Sequence, residues 1–86
     1  MRKRRPTHPG VILSKHYLQQ RGLTLTRFAV KAGLSRKHVS NIVHGRVSVT
    51  PRVAVSISGV LGTFPEFWMN LQNAVDLYDA RARLGA

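Results

Sequence analysis

Apolar residues recur every three or four positions along most of this 86-residue chain, the spacing that gathers them on one face of an α-helix. Pro9 suits the first turn of a helix. Val11, Ile12, Leu13, Tyr17 and Leu18 follow at helical spacing, and Gly22 closes the segment. Thr24 caps a second helix with Leu25, Phe28, Ala29 and Ala32 inward, and Gly33 ends it. Ser35 caps a third, with Val39, Ile42 and Val43 inward and Gly45 at its end. Thr50-Pro51 is a cap followed by proline at the first helical position, opening a stripe of Val53, Ala54, Ile57 and Leu61 that Gly62 stops. Gly59 inside that helix costs about 1 kcal/mol relative to alanine. Thr63 and Glu66 have capping-box spacing ahead of a last helix from about Pro65 to Arg83. "RVSV" (46–49) is too short to define a strand, and no alternating run is long enough for a sheet. The pattern predicts an all-α fold, a compact five-helix domain with short connections.

A chain of this length makes one domain. It is expected to divide into a flexible basic N-terminal tail (1–7), which has no apolar periodicity, and a single folded unit (8–86). Its hydrophobic content, 43%, is ordinary and supports one modest core with little left for a deep cleft. There is no cysteine, hence neither a disulfide framework nor a thiolate metal site. No apolar run approaches the ~18 residues of a membrane span. "MRKRRPTHPG" has the charge of a signal n-region without an apolar stretch behind it. A cytoplasmic protein without cofactor or metal is the expectation. His8, His16, His38 and His44 have no metal-ligand spacing; His8 is read as packing or capping at the first helix.

Charge sharpens the picture. The formal net charge is +11, and the three acids, Glu66, Asp76 and Asp79, all fall in the last quarter. Residues 1–65 carry twelve Lys/Arg and no acid. Soluble surfaces usually interleave both signs; one sign over so long a stretch points to a polyanionic partner, foremost nucleic acid.

The second and third helices, joined by a tight turn at Gly33, have the form of a helix-turn-helix. Ala29 lets the two helices approach, Gly33 supplies the positive φ of the turn, and Leu34 fills the angle between them. On the third helix Val39, Ile42 and Val43 share one face. Arg36, Lys37, Ser40, Asn41 and His44 fall on the flanks and the opposite face. The start of a recognition helix meets base edges in the major groove. Arg36 and Lys37 suit guanine O6 and N7, at about 1–3 kcal/mol of discrimination for a good bidentate pair. Ser40 reaches a base or a phosphate; Asn41 either pairs with adenine or braces the following turn. Protonation of His38 and His44 below about pH 6.5 would strengthen such binding.

"HPGVIL" (8–13), "GLSRKHVSNIVHGR" (33–46), "VTPRVAVSISGVLGT" (49–63) and "PEFWMNLQNAVDLY" (65–78) together resemble the HigA/VapI type of antitoxin, within the lambda-repressor-like, Xre group of helix-turn-helix proteins. The resemblance covers about residues 8–80. It implies a five-helix lambda-repressor-like fold, homodimerisation, binding to a palindromic double-stranded operator upstream of the protein's own operon, and neutralisation of a RelE/HigB-like ribonuclease toxin. The DNA-reading positions it implies are Ser35, Arg36, Lys37, His38, Ser40 and Asn41, with the segment Thr24 to Arg27 contacting phosphate; His44 and Arg46 border that face. The chain departs from the pattern at Leu25, where the wider group often has a glutamine that contacts phosphate and braces the recognition helix. That contact is lost or passes to Arg27. Val11 replaces a common glutamate and Val30 a charged residue. Many antitoxins of this type are near neutral or acidic, whereas a charge of +11 repels a basic toxin at long range.

Trp68, Leu71, Val75, Tyr78 and Ala82 are spaced 3, 4, 3, 4, a heptad seam. Trp68 and Leu71, joined by Phe64 and Phe67, are assigned to the chain's own core; Val75, Tyr78 and Ala82 are assigned to a partner chain across a two-fold axis. "RKRR" (2–5) is either a solubilising tail or an arm that enters a minor groove. Three other readings stand beside the antitoxin: a stand-alone Xre-type repressor without a toxin, a protein inhibitor with a vestigial DNA face, and, from another class, a small basic RNA-binding or RNA-cleaving protein. The last explains the charge but lacks both a sheet and a cluster of acid–base groups, so no enzymatic activity is expected.

Overall fold

The computed structural model describes residues 4–85. Its elements are α1 (Pro9–Ile12), which runs directly into a π-helical segment (Leu13–Leu18), then α2 (Leu25–Ala32), α3 (Arg36–Val43), α4 (Pro51–Leu61) and α5 (Pro65–Arg83). Residues 46–49 form no strand. The predicted caps are in place at three starts. Thr24 Oγ1 accepts from the Arg27 N–H, Ser35 Oγ from that of His38, and Thr50 Oγ1 from that of Val53. Gly33 and Gly62 end α2 and α4 in the left-handed conformation, at φ 69° and 74°, where a Cβ would be strained.

The core is built by Leu13, Leu18, Phe28, Val39, Ile42, Ala54, Ile57 and Trp68, drawn from the π-helical segment and from α2, α3, α4 and α5. The first helix departs from the predicted uniform α-winding. Its second part makes i→i+5 bonds, such as Gln19 N–H to the Ser14 carbonyl at 2.9 Å. Leu13 and Leu18 are five apart, a separation that α-geometry would splay; π-winding stacks them, and both are buried.

Two further contacts set the position of α3. Gly10 packs so closely on the end of α3 that a Cβ there would lie 1.8 Å from the Ile42 carbonyl oxygen. This gives the "HPG" sequence a physical meaning: His8 Nδ1 accepts from the Gly10 N–H at 2.9 Å and caps the helix, Pro9 fits its first turn, and Gly10 permits the approach. Between α3 and α4 the chain is extended, and the buried Val49 donates its N–H to Gln72 Oε1 at 2.8 Å. The Gln72 amide donates in turn to Asp76 Oδ1 at 2.9 Å. The hydrophobic pattern passed over this buried glutamine.

At the start of α5 the expected Thr63–Glu66 capping box is absent. The N-cap is Phe64, without a side-chain bond. Thr63 Oγ1 instead accepts from Trp68 Nε1 at 2.8 Å and donates to Ser58 Oγ at 3.3 Å. A fully buried indole needs an acceptor for its N–H, and that requirement takes the hydroxyl the cap would have used. Trp68 and the half-buried Leu71 join the core as expected, but Phe64 does not. It lies 77% exposed, because the N-cap position carries its side chain away from the packed face. Phe67 stays partly exposed and presents an edge to Trp68, with ring centroids 5.0 Å apart.

Candidate nucleic-acid interface

The turn between α2 and α3 fixes the angle between them through backbone bonds from Gly33 N–H to the Val30 carbonyl and from Leu34 N–H to that of Ala29. Val39 and Ile42 anchor α3 from below, fully buried. The predicted donors lie on its outer side: Arg36, Lys37, His38 and His44 are exposed, Ser40 and Asn41 half-buried. Thr24, Arg27, Ser35 and Arg46 are also exposed. No acid stands in the first turn of α2, α3 or α4, so the positive ends of these helix dipoles are unopposed locally.

Several of these side chains are held in place. Arg36 Nε donates to Thr26 Oγ1 at 3.1 Å. That bond leaves both terminal nitrogens of the guanidinium for an external acceptor, the pair needed for an end-on fork to guanine or phosphate. It also supplies the brace between α2 and α3 that Leu25 cannot make, using Thr26 instead of Arg27. Sequence inspection had Thr26 only within the phosphate-contacting segment Thr24 to Arg27 and missed its bond to Arg36, since two residues ten positions apart carry no spacing signal. Arg46 donates to Asn41 Oδ1 at 3.2 Å, the bracing contact of its two readings, while the second lone pair of Oδ1 and the amide N–H groups stay available to a base. His44 Nδ1 donates to the Ser40 carbonyl at 2.7 Å, which holds the ring against the last turn of α3. Lys37 and His38 project from α3 between these braced neighbours.

Among the described residues no acid is paired with this face. The one ion pair among them is Arg5–Asp79, which involves none of the α3 side chains, and no group of His, Asp or Glu among them is placed to hold a metal. The surface is therefore chemically a set of donors awaiting acceptors. A helix-turn-helix family profile matches residues 15–68, which contain it. Antitoxin HigA-1 of Vibrio cholerae is 43% identical over 81 residues, covering 94% of this chain and 76% of that protein. The chain belongs to the HigA-type antitoxins of the helix-turn-helix family. The fold agrees at the level of coordinates. Antitoxin GraA superposes with a TM-score of 0.91 at 37% identity, covering 96% of this chain and 89% of that one. The Pseudomonas aeruginosa antitoxin HigA, solved with the higBA promoter, superposes with a TM-score of 0.89 at 31% identity, covering 94% and 88%.

Among HigA-type antitoxins this chain's α5 calls for one correction to the predicted partner surface. Val75 is 2% exposed within the single chain. The inner face of α5 packs on α1 and α4, and this takes Val75 inward before a second copy can reach it. Tyr78 is half-buried and Ala82 exposed. The outward apolar residues beside them are Leu77, 51% exposed, and Leu84, 85% exposed. Of the basic tail, residues 1–3 lie outside the described residues. Arg4 is exposed, and Arg5 is engaged with Asp79.

Proposed function

We propose that this HigA-type antitoxin binds double-stranded operator DNA sequence-specifically as a homodimer, represses its own operon and neutralises a RelE/HigB-like ribonuclease toxin in the cytoplasm. The observation that carries the DNA reading is the α3 face: Arg36 held by Thr26, Lys37 and His38 exposed beside it, and no acid among the described residues paired with any of them. The related structure of the Pseudomonas aeruginosa antitoxin HigA with the higBA promoter supports the same reading. In this view Arg36 and Lys37 read base edges, Ser35, Ser40 and His38 contact bases or phosphates, and Thr24, Arg27, His44 and Arg46 hold the backbone.

Dimerisation through the outward side of α5, with Tyr78, Ala82, Leu77 and Leu84, sets two recognition helices about one DNA turn, roughly 34 Å, apart. Toxin recognition rests on the antitoxin name of the relatives. A net charge of +11 gives no steering toward a basic partner, so that complex depends on short-range contact and should tolerate salt better than the DNA complex. Footprinting on the chain's own promoter tests the DNA reading: protection of two half-sites one turn apart is expected, and uniform affinity for random duplex refutes it. The toxin reading predicts a small RelE-like ribonuclease in the adjacent reading frame that this chain inhibits on mixing; a ribonuclease that stays active in its presence refutes it.

A further inference from the structure

The Arg5–Asp79 contact joins residues 74 positions apart through two parallel bonds: Nε donates to Oδ1 and a terminal nitrogen to Oδ2, each at 2.9 Å. A fork of this kind fixes orientation as well as distance. It fastens the segment before α1 to the flank of α5. Behind that fastening lies an open cleft of about 380 Å³, with Arg5, Pro6 and Thr7 on one side and Val43, His44 and Gly45 on the other. The arm therefore runs beside the C-terminal end of the recognition helix, and the exposed Arg4 stands just before the clamped residue.

We propose that Asp79 is a positioning residue for DNA binding: by clamping Arg5 it holds Arg4 beside the end of α3, where Arg4 meets a phosphate flanking the bases that α3 reads. The inference rests on the DNA reading above. Its physical basis is pre-organisation. A segment ordered only on binding loses conformational freedom at that moment, whereas one ordered beforehand does not. The proposal runs against simple charge counting. Asp79 is one of three acids in a chain of charge +11, and removing an acid from such a protein raises its attraction to a polyanion. The two accounts therefore predict opposite signs.

The test uses the full chain and a fluorescent duplex from its own promoter, titrated by anisotropy at several salt concentrations beside a random duplex. Wild type should prefer the promoter; no preference overturns the DNA reading itself and this proposal with it. Given that preference, Asp79→Asn should bind the promoter roughly three- to tenfold more weakly, somewhat less than the full cost of ordering one backbone residue. Its salt slope should be shallower by about 0.9, the share of one phosphate contact. Asp79→Glu should keep wild-type behaviour. Arg4→Gln should show the same slope loss and add little to Asp79→Asn. Binding by Asp79→Asn as tight as wild type or tighter overturns the proposal. So does weaker binding accompanied by a changed sedimentation mass or lowered helicity, because the effect would then travel through the dimer or the fold. Arg5→Gln, the other half of the clamp, must lose the Arg4 contribution in the same way.

Discussion

Replacing Gly10 and Gly59 by alanine, one at a time, should move stability in opposite directions. Both glycines lie in helices, where alanine is intrinsically favoured by about 0.8–1 kcal/mol. At Gly59 a new Cβ meets nothing within 4 Å, so the intrinsic gain stands, and the melting temperature should rise by about 4–8 °C. At Gly10 the same atom would lie 1.8 Å from the Ile42 carbonyl oxygen, 2.7 Å from its carbon and 3.0 Å from Val43 Cα. All three are backbone atoms, so no rotamer change relieves the contact. Restoring an ordinary contact of about 3.5 Å needs α1 and α3 to separate by roughly 1.7 Å. That movement opens the core where Leu13 and Ile42 are fully buried. Overpacking of this kind costs typically 1–3 kcal/mol and sometimes more. Set against a total stability of about 4–13 kcal/mol for a chain this size, Gly10→Ala should lower the melting temperature by roughly 5–20 °C. Thermal denaturation followed by circular dichroism at one pH and salt concentration decides it. A Gly10→Ala melting point within 2 °C of wild type (a shift worth well under 1 kcal/mol) would refute the claim that backbone approach sets the α1–α3 geometry.

Burial and the Arg5 charge push the His8 imidazole below its usual pKa. As pH falls through about 6.5 the unfolded chain takes up a proton that the folded chain resists, and stability is lost from there downward. The melting temperature should therefore drop between pH 7.5 and pH 5.5, and His8→Asn, which keeps an N-cap acceptor, should flatten that slope; an equal slope in the variant would remove His8 as its source. Gln72→Leu leaves the Val49 N–H buried without an acceptor, at a cost of about 1–3 kcal/mol, readable as a lower urea midpoint with an unchanged m-value. Lys37→Ala should cost about 1–3 kcal/mol in promoter affinity with little change in melting temperature. A loss of equal size on random duplex would make Lys37 a phosphate contact instead of a base reader. Thr26→Val, which removes the acceptor for Arg36, should weaken promoter binding as well; affinity equal to wild type would show that Arg36 needs no brace.

The local signals that the sequence carries are those that act over three or four residues. Thr24, Ser35 and Thr50 cap helices because a hydroxyl reaches an N–H three residues on. Gly33 and Gly62 end helices because only glycine takes positive φ without strain. The α3 face was legible for the same reason: helical spacing alone divides Val39 and Ile42 from Arg36 and Lys37. What spacing could not reveal depends on which atoms meet from distant parts of the chain. The Thr63 hydroxyl goes to Trp68 and leaves the capping box unmade, and Val75 turns inward because α1 and α4 occupy that side of α5; both are set by packing, as is the brace that Thr26 gives Arg36. By itself the sequence determined where the helices lie, which residues of α3 face outward and the sign of their charge, since each follows from local geometry and composition. Only the tertiary structure decided how that surface is braced, what Gln72 and Gly10 are for, and that Arg5 is tied to Asp79, because a buried polar group takes its partner from whichever element the fold brings within hydrogen-bond reach.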